Sequence, residues 1–330
     1  MFGQSYFSFS TSAKEAYLFG RRILLEGAND ARSEGKIRGL TLQGAYCDEL
    51  TLFPKDFFVM LLSRLRVPGA KLIATTNPDS PQHWLKREYI DRMAELDMLT
   101  MRFLLEDNTT LDPQYVAAVK AEYTGVFYRR FILGEWCVAE GLIYPMFDKA
   151  VHVTHHPELQ PGGDYYISCD YGTLNPTSAG LWYLQPDGHA IRLREYYYDG
   201  RKTKTPRTDE EHYAALKQLA GDVADKVRAV IVDPSAASFI ECIRRHGLFR
   251  VWQADNSVLN GIRDTSSLLQ MQYLHICDNC TDIIREFSLY RWDESAAEDR
   301  PIKENDHAMD DMRYFVRTAM TRTLKTIRRR

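Results

Sequence analysis

Four acidic residues in the second half of the chain have the type and placement to bind divalent cations: Asp170, Asp233, Asp306 and Asp310, with His307 among them. Asp170 closes the apolar run YYISCD and Asp233 closes VRAVIVD, so both read as residues at the C-terminal tips of buried strands. Asp306 and Asp310 lie in NDHAMDD, at the start of an expected helix, and their four-residue spacing puts them on one helical face. His307 shares a face with Asp310 or Asp311 and could be an outer ligand or a proton carrier. Asp311 projects about 100° away from Asp310 and is expected in solvent. Carboxylates clustered at low dielectric repel, and oxygen-bound divalent cations relieve that repulsion. Two such cations roughly 3.5–4 Å apart can activate a water and stabilise the leaving oxygen of a phosphodiester. Taken singly, each aspartate reads as a turn former or helix cap. Taken jointly, they point to metal-dependent hydrolysis of nucleic acid.

The first half offers a second group. Asp48 and Glu49 end the apolar-rich run at 36–50, which reads as a buried strand, and Thr75-Thr76-Asn77-Pro78 follows a second such run at 71–74. Between them, residues 54–69 have helical spacing, opened by Pro54 and closed by Pro68-Gly69. Strand, helix, strand is a parallel α/β unit, and ligands of such units lie beyond the carboxyl ends of the strands, where both polar tips fall.

The elements that must position the second-half carboxylates can be read in order. Residues 112–130 have a helical pattern, with Asp112 as N-cap and Pro113 at the first helical position. Residues 152–164, rich in polar residues, Pro and Gly, read as the domain junction. Three strands then form an antiparallel meander, the first ending at Asp170. A helix over 208–219, a strand ending at Asp233, a helix over 235–246, and a last helix over 305–320 follow. A meander followed by alternating helices and parallel strands is the order of the ribonuclease H type of fold. In that fold the first and fourth strands are neighbours, which would set Asp170 beside Asp233 with the last helix laying Asp310 across them. The fold class is therefore α/β, with a default of two domains of roughly 150 residues.

Composition narrows the remaining classes. No run approaches the ~20 apolar residues of a membrane span, and the N-terminal residues lack the order of a signal peptide; a cytoplasmic location is expected. The net charge of −3 is neutral on partners, although residues 201–207 (RKTKTPR) and the terminal TIRRR are local basic patches suited to phosphate. The six cysteines read as reduced core residues. Cys277 and Cys280 form a single CxxC, short of the roughly four ligands of a structural zinc site.

Read in order, the chain resembles the large terminase subunit of tailed bacteriophages, a packaging motor with an ATPase half and a nuclease half. The phrases that carry the resemblance are IRGLTLQGAYCDEL, LIATTNPDSPQHWL, GVFYRRFILGEWCVAEGLIYPMF, YYISCDYGTLNPTSAGLWY, AVIVDPSAASFIECIRRHG, ADNSVLNGIRDTSSLL and NDHAMDDMRYF. The resemblance implies an incomplete P-loop-type ATPase domain over 1–150 and a ribonuclease H-like nuclease domain over 151–330. It implies Asp170, Asp233 and Asp310 as ligands of two Mg²⁺ or Mn²⁺ ions, His307 as a nearby catalytic group, and Asp306 as a further acidic group at the metals. Asp48 and Glu49 match the family's Walker B pair, the first helping to hold Mg²⁺ on a nucleotide and the second orienting the attacking water. Thr75, Thr76 and Asn77 match the segment that couples hydrolysis to movement. Double-stranded DNA, the terminase small subunit and the portal protein are the implied partners, and concatemeric viral DNA the implied substrate.

One departure stands out. No G-x-x-x-x-G-K-[ST] loop occurs in the chain, and only 47 residues precede Asp48, whereas the family has that loop well upstream. The chain thus resembles a terminase without its N-terminal portion, with ATP as a ligand only where that segment is supplied. Two other readings stay open: an inactive remnant that binds DNA or portal, and another ribonuclease H-like nuclease such as a resolvase or integrase.

Overall fold

A computed structural model describes residues 6–12, 14–28, 33–173, 175–296 and 298–327. The basic tail at 328–330 lies outside the described residues. The chain divides into two compact units, residues 1–78 with 83–100, and residues 79–82 with 101–330. Among the described residues no helix is long and apolar enough to cross a membrane.

The first unit opens with a three-stranded antiparallel sheet, β1 (Phe7–Ser10), β2 (Glu15–Leu18) and β3 (Arg21–Leu24), which the sequence pattern does not announce. Each strand is four residues long, and β1 and β3 are mostly exposed, so no alternating apolar pattern marks the sheet. The expected strand–helix–strand unit follows as β4 (Gly44–Cys47), helix α1 (Lys55–Leu62) and β5 (Lys71–Ala74), with β4 and β5 parallel. These strands are shorter and less buried than expected. Helix α1 buries Phe57, Phe58 and Leu61, with Phe58 against Trp84 and Tyr89, while Tyr46 and Ile73 of the two-stranded sheet each remain 65% exposed.

The second unit is built on a seven-stranded sheet. Its strands are β6 (Val153–Thr154), β7 (Asp164–Asp170), β8 (Thr177–Leu184), β9 (Ala190–Tyr198), β10 (Val227–Val232), β11 (Val251–Gln253) and β12 (Leu274–Cys277). Their spatial order is β11-β10-β7-β8-β9-β12-β6. The meander β7–β8–β9 is antiparallel as expected, and β10 lies parallel to β7, with Val232 opposite Cys169. The next residue on each strand is an aspartate, so Asp233 and Asp170 sit at the ends of neighbouring strands, whose spacing is about 4.8 Å.

Alternation along the strands feeds two cores. Ile167, Cys169, Leu181, Val230 and Val232 face one side, under α2 (Asp209–Ala220) and α3 (Ala237–His246). Tyr166, Trp182, Ala229 and Ile231 face the other, where α4 (Val258–Gln270), α5 (Thr281–Phe287) and α6 (His307–Ala319) pack. Phe127, Ala139, Ile143 and Tyr144 belong to this second core, and β6 already pairs with β12. Compactness therefore places residues 101–150 with the large sheet, so the expected junction at 152–164 lies inside the second unit. The helix expected over 112–130 is two helices, Pro113–Glu122 and Gly125–Phe131, because Thr124 is extended and Gly125 takes a φ of +54°. Asp112 caps the first of them, accepting from the Gln114 amide at 2.8 Å.

Helix α6 is fixed to the sheet by the residue expected in solvent. Asp311 is fully buried, and its carboxylate accepts hydrogen bonds from Arg192 of β9, Ser168 of β7 and Ser178 of β8. The 100° offset from Asp310 turns Asp311 towards the sheet, because Asp310 takes the edge of the same helix. Arg192 passes directly over Gly180, where any Cβ would fall about 2.2 Å from the guanidinium. Replacing Asp311 with Ala leaves Arg192 charged and buried without its close partner, with only Glu195 at 3.7 Å remaining; we expect a loss of about 3–5 kcal/mol in urea denaturation. A loss below about 1 kcal/mol would mean that the pair behaves like a surface bridge.

Candidate active site

The carboxyl end of the large sheet carries an open cleft lined by Asp170, Asp306, His307 and Asp310, with Arg201, Lys202, Arg285 and Lys303 on its walls. His307 Nδ1 lies 2.8 Å from Asp170 Oδ2, and its Nε2 is 3.8 Å from Asp306 Oδ1. Arg313, one turn further along α6, donates to Asp310 Oδ1 at 2.5 Å, and Lys303 Nζ is 3.5 Å from Asp306 and 3.6 Å from Asp310. Asp233 accepts from the Ser235 amide at 2.7 Å and from Asn256 Nδ2 at 3.1 Å. Tyr314 Oη, on α6, lies 3.4 Å from Asp170 Oδ1 and also within the influence of Asp233.

The electrostatics separate these groups. Burial, with Asp310 alongside, lifts the Asp170 carboxyl to about 6, against the pull of the His307 hydrogen bond. Burial and Asp310 likewise raise Asp306. Burial works against the charged form of His307, but the hydrogen bond to Asp170 and the neighbouring carboxylates outweigh it and raise the imidazole. For Asp233, burial is outweighed by hydrogen bonds from Ser235 and Asn256, which hold it below its usual value. Burial and the surrounding carboxylates keep the Tyr314 phenol protonated, so it acts as a donor.

Asp170, Asp306, His307 and Asp310 are thus brought together, and Asp233 adjoins them at the end of the neighbouring strand. The three carboxylates of Asp170, Asp233 and Asp310 are not drawn within 4.8 Å of one another, since Arg313 holds Asp310 and Asn256 holds Asp233. The donor set is nonetheless that of a hard divalent cation, being oxygen throughout apart from one histidine. The raised Asp170 carboxyl reflects a burial cost, with a smaller repulsion from Asp310, that such a cation would offset.

Sequence reasoning missed Tyr314, Asn256, Arg313 and Glu286. Tyr314 follows Asp310 by four residues and could have been found by the same spacing rule. Glu286 could not: from α5 it accepts from the amides of Ala308 and Met309 and so caps α6 across the fold, with burial pushing its carboxyl up to about 7. Of the basic run at 201–207, Arg201 and Lys202 line the cleft, while Arg207 is held over the Tyr198 ring at 4.0 Å.

The first unit holds the second group. Thr75 Oγ1 donates to Asp48 Oδ1 at 2.8 Å, and Asn77 Nδ2 lies 3.0 and 3.1 Å from the two carboxylate oxygens of Glu49. Thr76 Oγ1 accepts from the Thr51 amide at 3.0 Å. Glu49 adopts a φ of +54°, a left-handed conformation uncommon for a residue with a Cβ and held here by the Asn77 bracket.

Comparison with known proteins places the chain in a family. Residues 6–150 match the family model described as terminase large subunit, T4likevirus-type, N-terminal. The large terminase from a thermophilic bacteriophage (crystal form 2) is 41% identical over 95% of this chain and 79% of its own, with a TM-score of 0.89. The same phage protein in complex with ADP is 40% identical, with coverage of 96% and 79% and a TM-score of 0.88. In complex with ATP-gamma-S it is 41% identical, with coverage of 95% and 78% and a TM-score of 0.87. No curated protein sequence matches. The chain belongs to the phage large terminase family.

The raised Asp170 carboxyl sets a stability expectation. With the folded value near 6 and the unfolded value near 3.8, ionisation costs stability as pH rises between the two. In EDTA at pH 7, Asp170→Asn is expected to be more stable than the wild type by on the order of 1–2 kcal/mol, and the gain should vanish near pH 4. Thermal unfolding at the two pH values measures it, and equal stabilities at pH 7 would contradict the cost assigned to ionising the buried carboxyl.

Proposed function

We propose that this chain is a metal-dependent endodeoxyribonuclease of phage DNA packaging, cutting concatemeric viral DNA, with Asp170, Asp233 and Asp310 as its metal ligands. The observation that carries the reading is the meeting of two strand-end aspartates on adjacent parallel strands with the acidic edge of a helix packed on the same sheet, beside a cleft walled by Arg and Lys. A meander joined to a parallel fourth strand, with a last helix across it, supports a ribonuclease H-like description of residues 151–330.

Divalent cations, Mg²⁺ or Mn²⁺, would activate a water and offset charge on the leaving oxygen of the phosphodiester. The chain's own groups do the rest. His307 fixes the Asp170 carboxylate through Nδ1, a hydrogen bond that also raises its proton affinity. Tyr314, held protonated, orients the same carboxylate from the other side. Arg201, Lys202 and Arg285 present donors to phosphates of double-stranded DNA. Asp306, paired with Lys303, tunes the entrance to the cleft and could contribute a further ligand.

For the first unit we infer a nucleotide-dependent role. The ADP and ATP-gamma-S complexes of the thermophilic phage protein support a nucleotide as ligand. The Thr75–Asp48 and Asn77–Glu49 pairs are the contacts that a metal-holding aspartate and a water-orienting glutamate with a sensor would make. The family match over 6–150 supports a functional division near residue 150. Packaging partners would be the small subunit and the portal, in the host cytoplasm.

Relaxation and linearisation of supercoiled plasmid tests the nuclease. Cleavage is expected with Mn²⁺ or Mg²⁺ and not with EDTA. Asp233→Ala should lower it at least ~100-fold with the fold unchanged by circular dichroism, because it removes a ligand and no core volume. Glu49→Gln should leave it unaltered. Undiminished cutting by folded Asp233→Ala would remove that residue from the site.

A further inference from the structure

Helices α2 and α3 pack side by side, and a cluster of side chains between them has no part in the cleft. Cys242 and His246 stand one turn apart on α3 and face Glu210 in the first turn of α2. His246 Nε2 lies 2.7 Å from Glu210 Oε2, and Cys242 Sγ lies 3.6 Å from Glu210 Oε1. One donor atom from each residue falls within 4.8 Å of the other two, the one such trio among the described residues. The Tyr213 ring stacks on the His246 imidazole, centroids 3.9 Å apart and planes 7° apart, and so fixes the plane in which its nitrogens point.

We propose that Glu210, Cys242 and His246 form a binding site for a borderline-soft divalent transition-metal ion, Zn²⁺ by preference, which ties α2 to α3. Tetrahedral zinc with sulfur, nitrogen and oxygen ligands sets its donor atoms roughly 3.3–3.8 Å apart; the exposed Glu210 side chain can adjust its own two distances by rotation, and the Cys242 and His246 donors already lie within 4.8 Å of each other. Thiolate with imidazole selects Zn²⁺ or Co²⁺ over the hard Mg²⁺ and Mn²⁺ suited to the carboxylate cleft, so the two sites take different ions. Burial holds the free Cys242 thiol up at about 11. Binding therefore forms the metal–sulfur bond as the thiol proton leaves to solvent; the fourth coordination position falls to water.

The placement has a structural consequence. Helix α3 begins shortly after Asp233, and Asp209, the neighbour of Glu210, accepts a hydrogen bond from Tyr171, the neighbour of Asp170. An ion between the helices braces the elements behind both strand-end aspartates.

The test titrates the full chain with Co²⁺ in excess Mg²⁺, which occupies the carboxylate cleft, and reads the near-ultraviolet sulfur-to-cobalt charge-transfer band that only thiolate ligation gives. The wild type should show a saturable band at one equivalent, absent from Cys242→Ser and reduced at least tenfold in His246→Ala. In parallel, Zn²⁺ should raise the wild-type unfolding midpoint by several degrees and leave both variants unmoved. A folded wild type without the band, a band retained in Cys242→Ser, or an equal Zn²⁺ shift in the variants would overturn the proposal. His246 sits at the exposed end of α3, so His246→Ala keeps the test decisive should Cys242→Ser fail to fold.

Discussion

The second unit's geometry depends on one buried ion pair. Asp311 and Arg192 are both fully buried, and two serine hydroxyls from β7 and β8 complete the carboxylate's hydrogen bonds. Ser168 in turn accepts from the Trp182 indole at 2.8 Å, and Trp182 stacks on Phe315 of α6, centroids 4.5 Å apart. Polar groups from three strands and one helix thus close on a single point. A buried polar network, here complete except for the unpartnered Arg192 Nε, fixes orientation more narrowly than apolar packing, because a displaced helix would strand charged groups without partners. The rotation and axial position of α6 follow, and with them the places of His307, Asp310 and Tyr314.

The two sides of α6 are treated in opposite ways. Towards the sheet, Asp311 has more partners than an ordinary carboxylate needs. Towards the cleft, Asp170 and Asp306 are buried near Asp310 with their carboxyls raised, chiefly by burial, so the fold keeps there carboxyls that are costly to ionise. Two glycines make this division possible. Gly180 lets Arg192 cross the sheet, and Gly261 lets the stem of Arg313 pass α4 on its way to Asp310, since a Cβ at Gly261 would fall 2.2 Å from Arg313 Cγ. Carboxyls with perturbed proton affinity gathered at a cleft are the arrangement expected at a functional site.

The first unit concentrates its constraint differently. Its parallel pair of strands is short and half-exposed, yet the residues just past the strand ends are tightly cross-linked: Asp48 to Thr75, Glu49 to Asn77, and the Thr51 amide to Thr76. Glu49 bears a left-handed φ at that point. Local strain of order 1–3 kcal/mol is kept in place by the bracket from Asn77, so the glutamate's direction is set by the neighbouring strand end and not by its own backbone preference.

What the sequence disclosed followed the range of the forces involved. Apolar runs ending in Asp170 and Asp233 marked the strand tips, because alternation and burial are local properties; the strand neighbours then followed from topology. The Asp306/Asp310 spacing marked a helical face for the same reason. Asp311 was misplaced because the pattern of α6 gives its angle relative to Asp310 but not what lies in that direction, and the partner Arg192 is 119 residues away. Glu286 and Asn256 were illegible on the same ground, since each reaches the site from another element. The boundary near residue 150 was read from Pro, Gly and polar residues, which report where backbone is exposed. They do not report where Phe127, Ile143 and Tyr144 bury their side chains, and that burial assigns residues 101–150 to the large sheet.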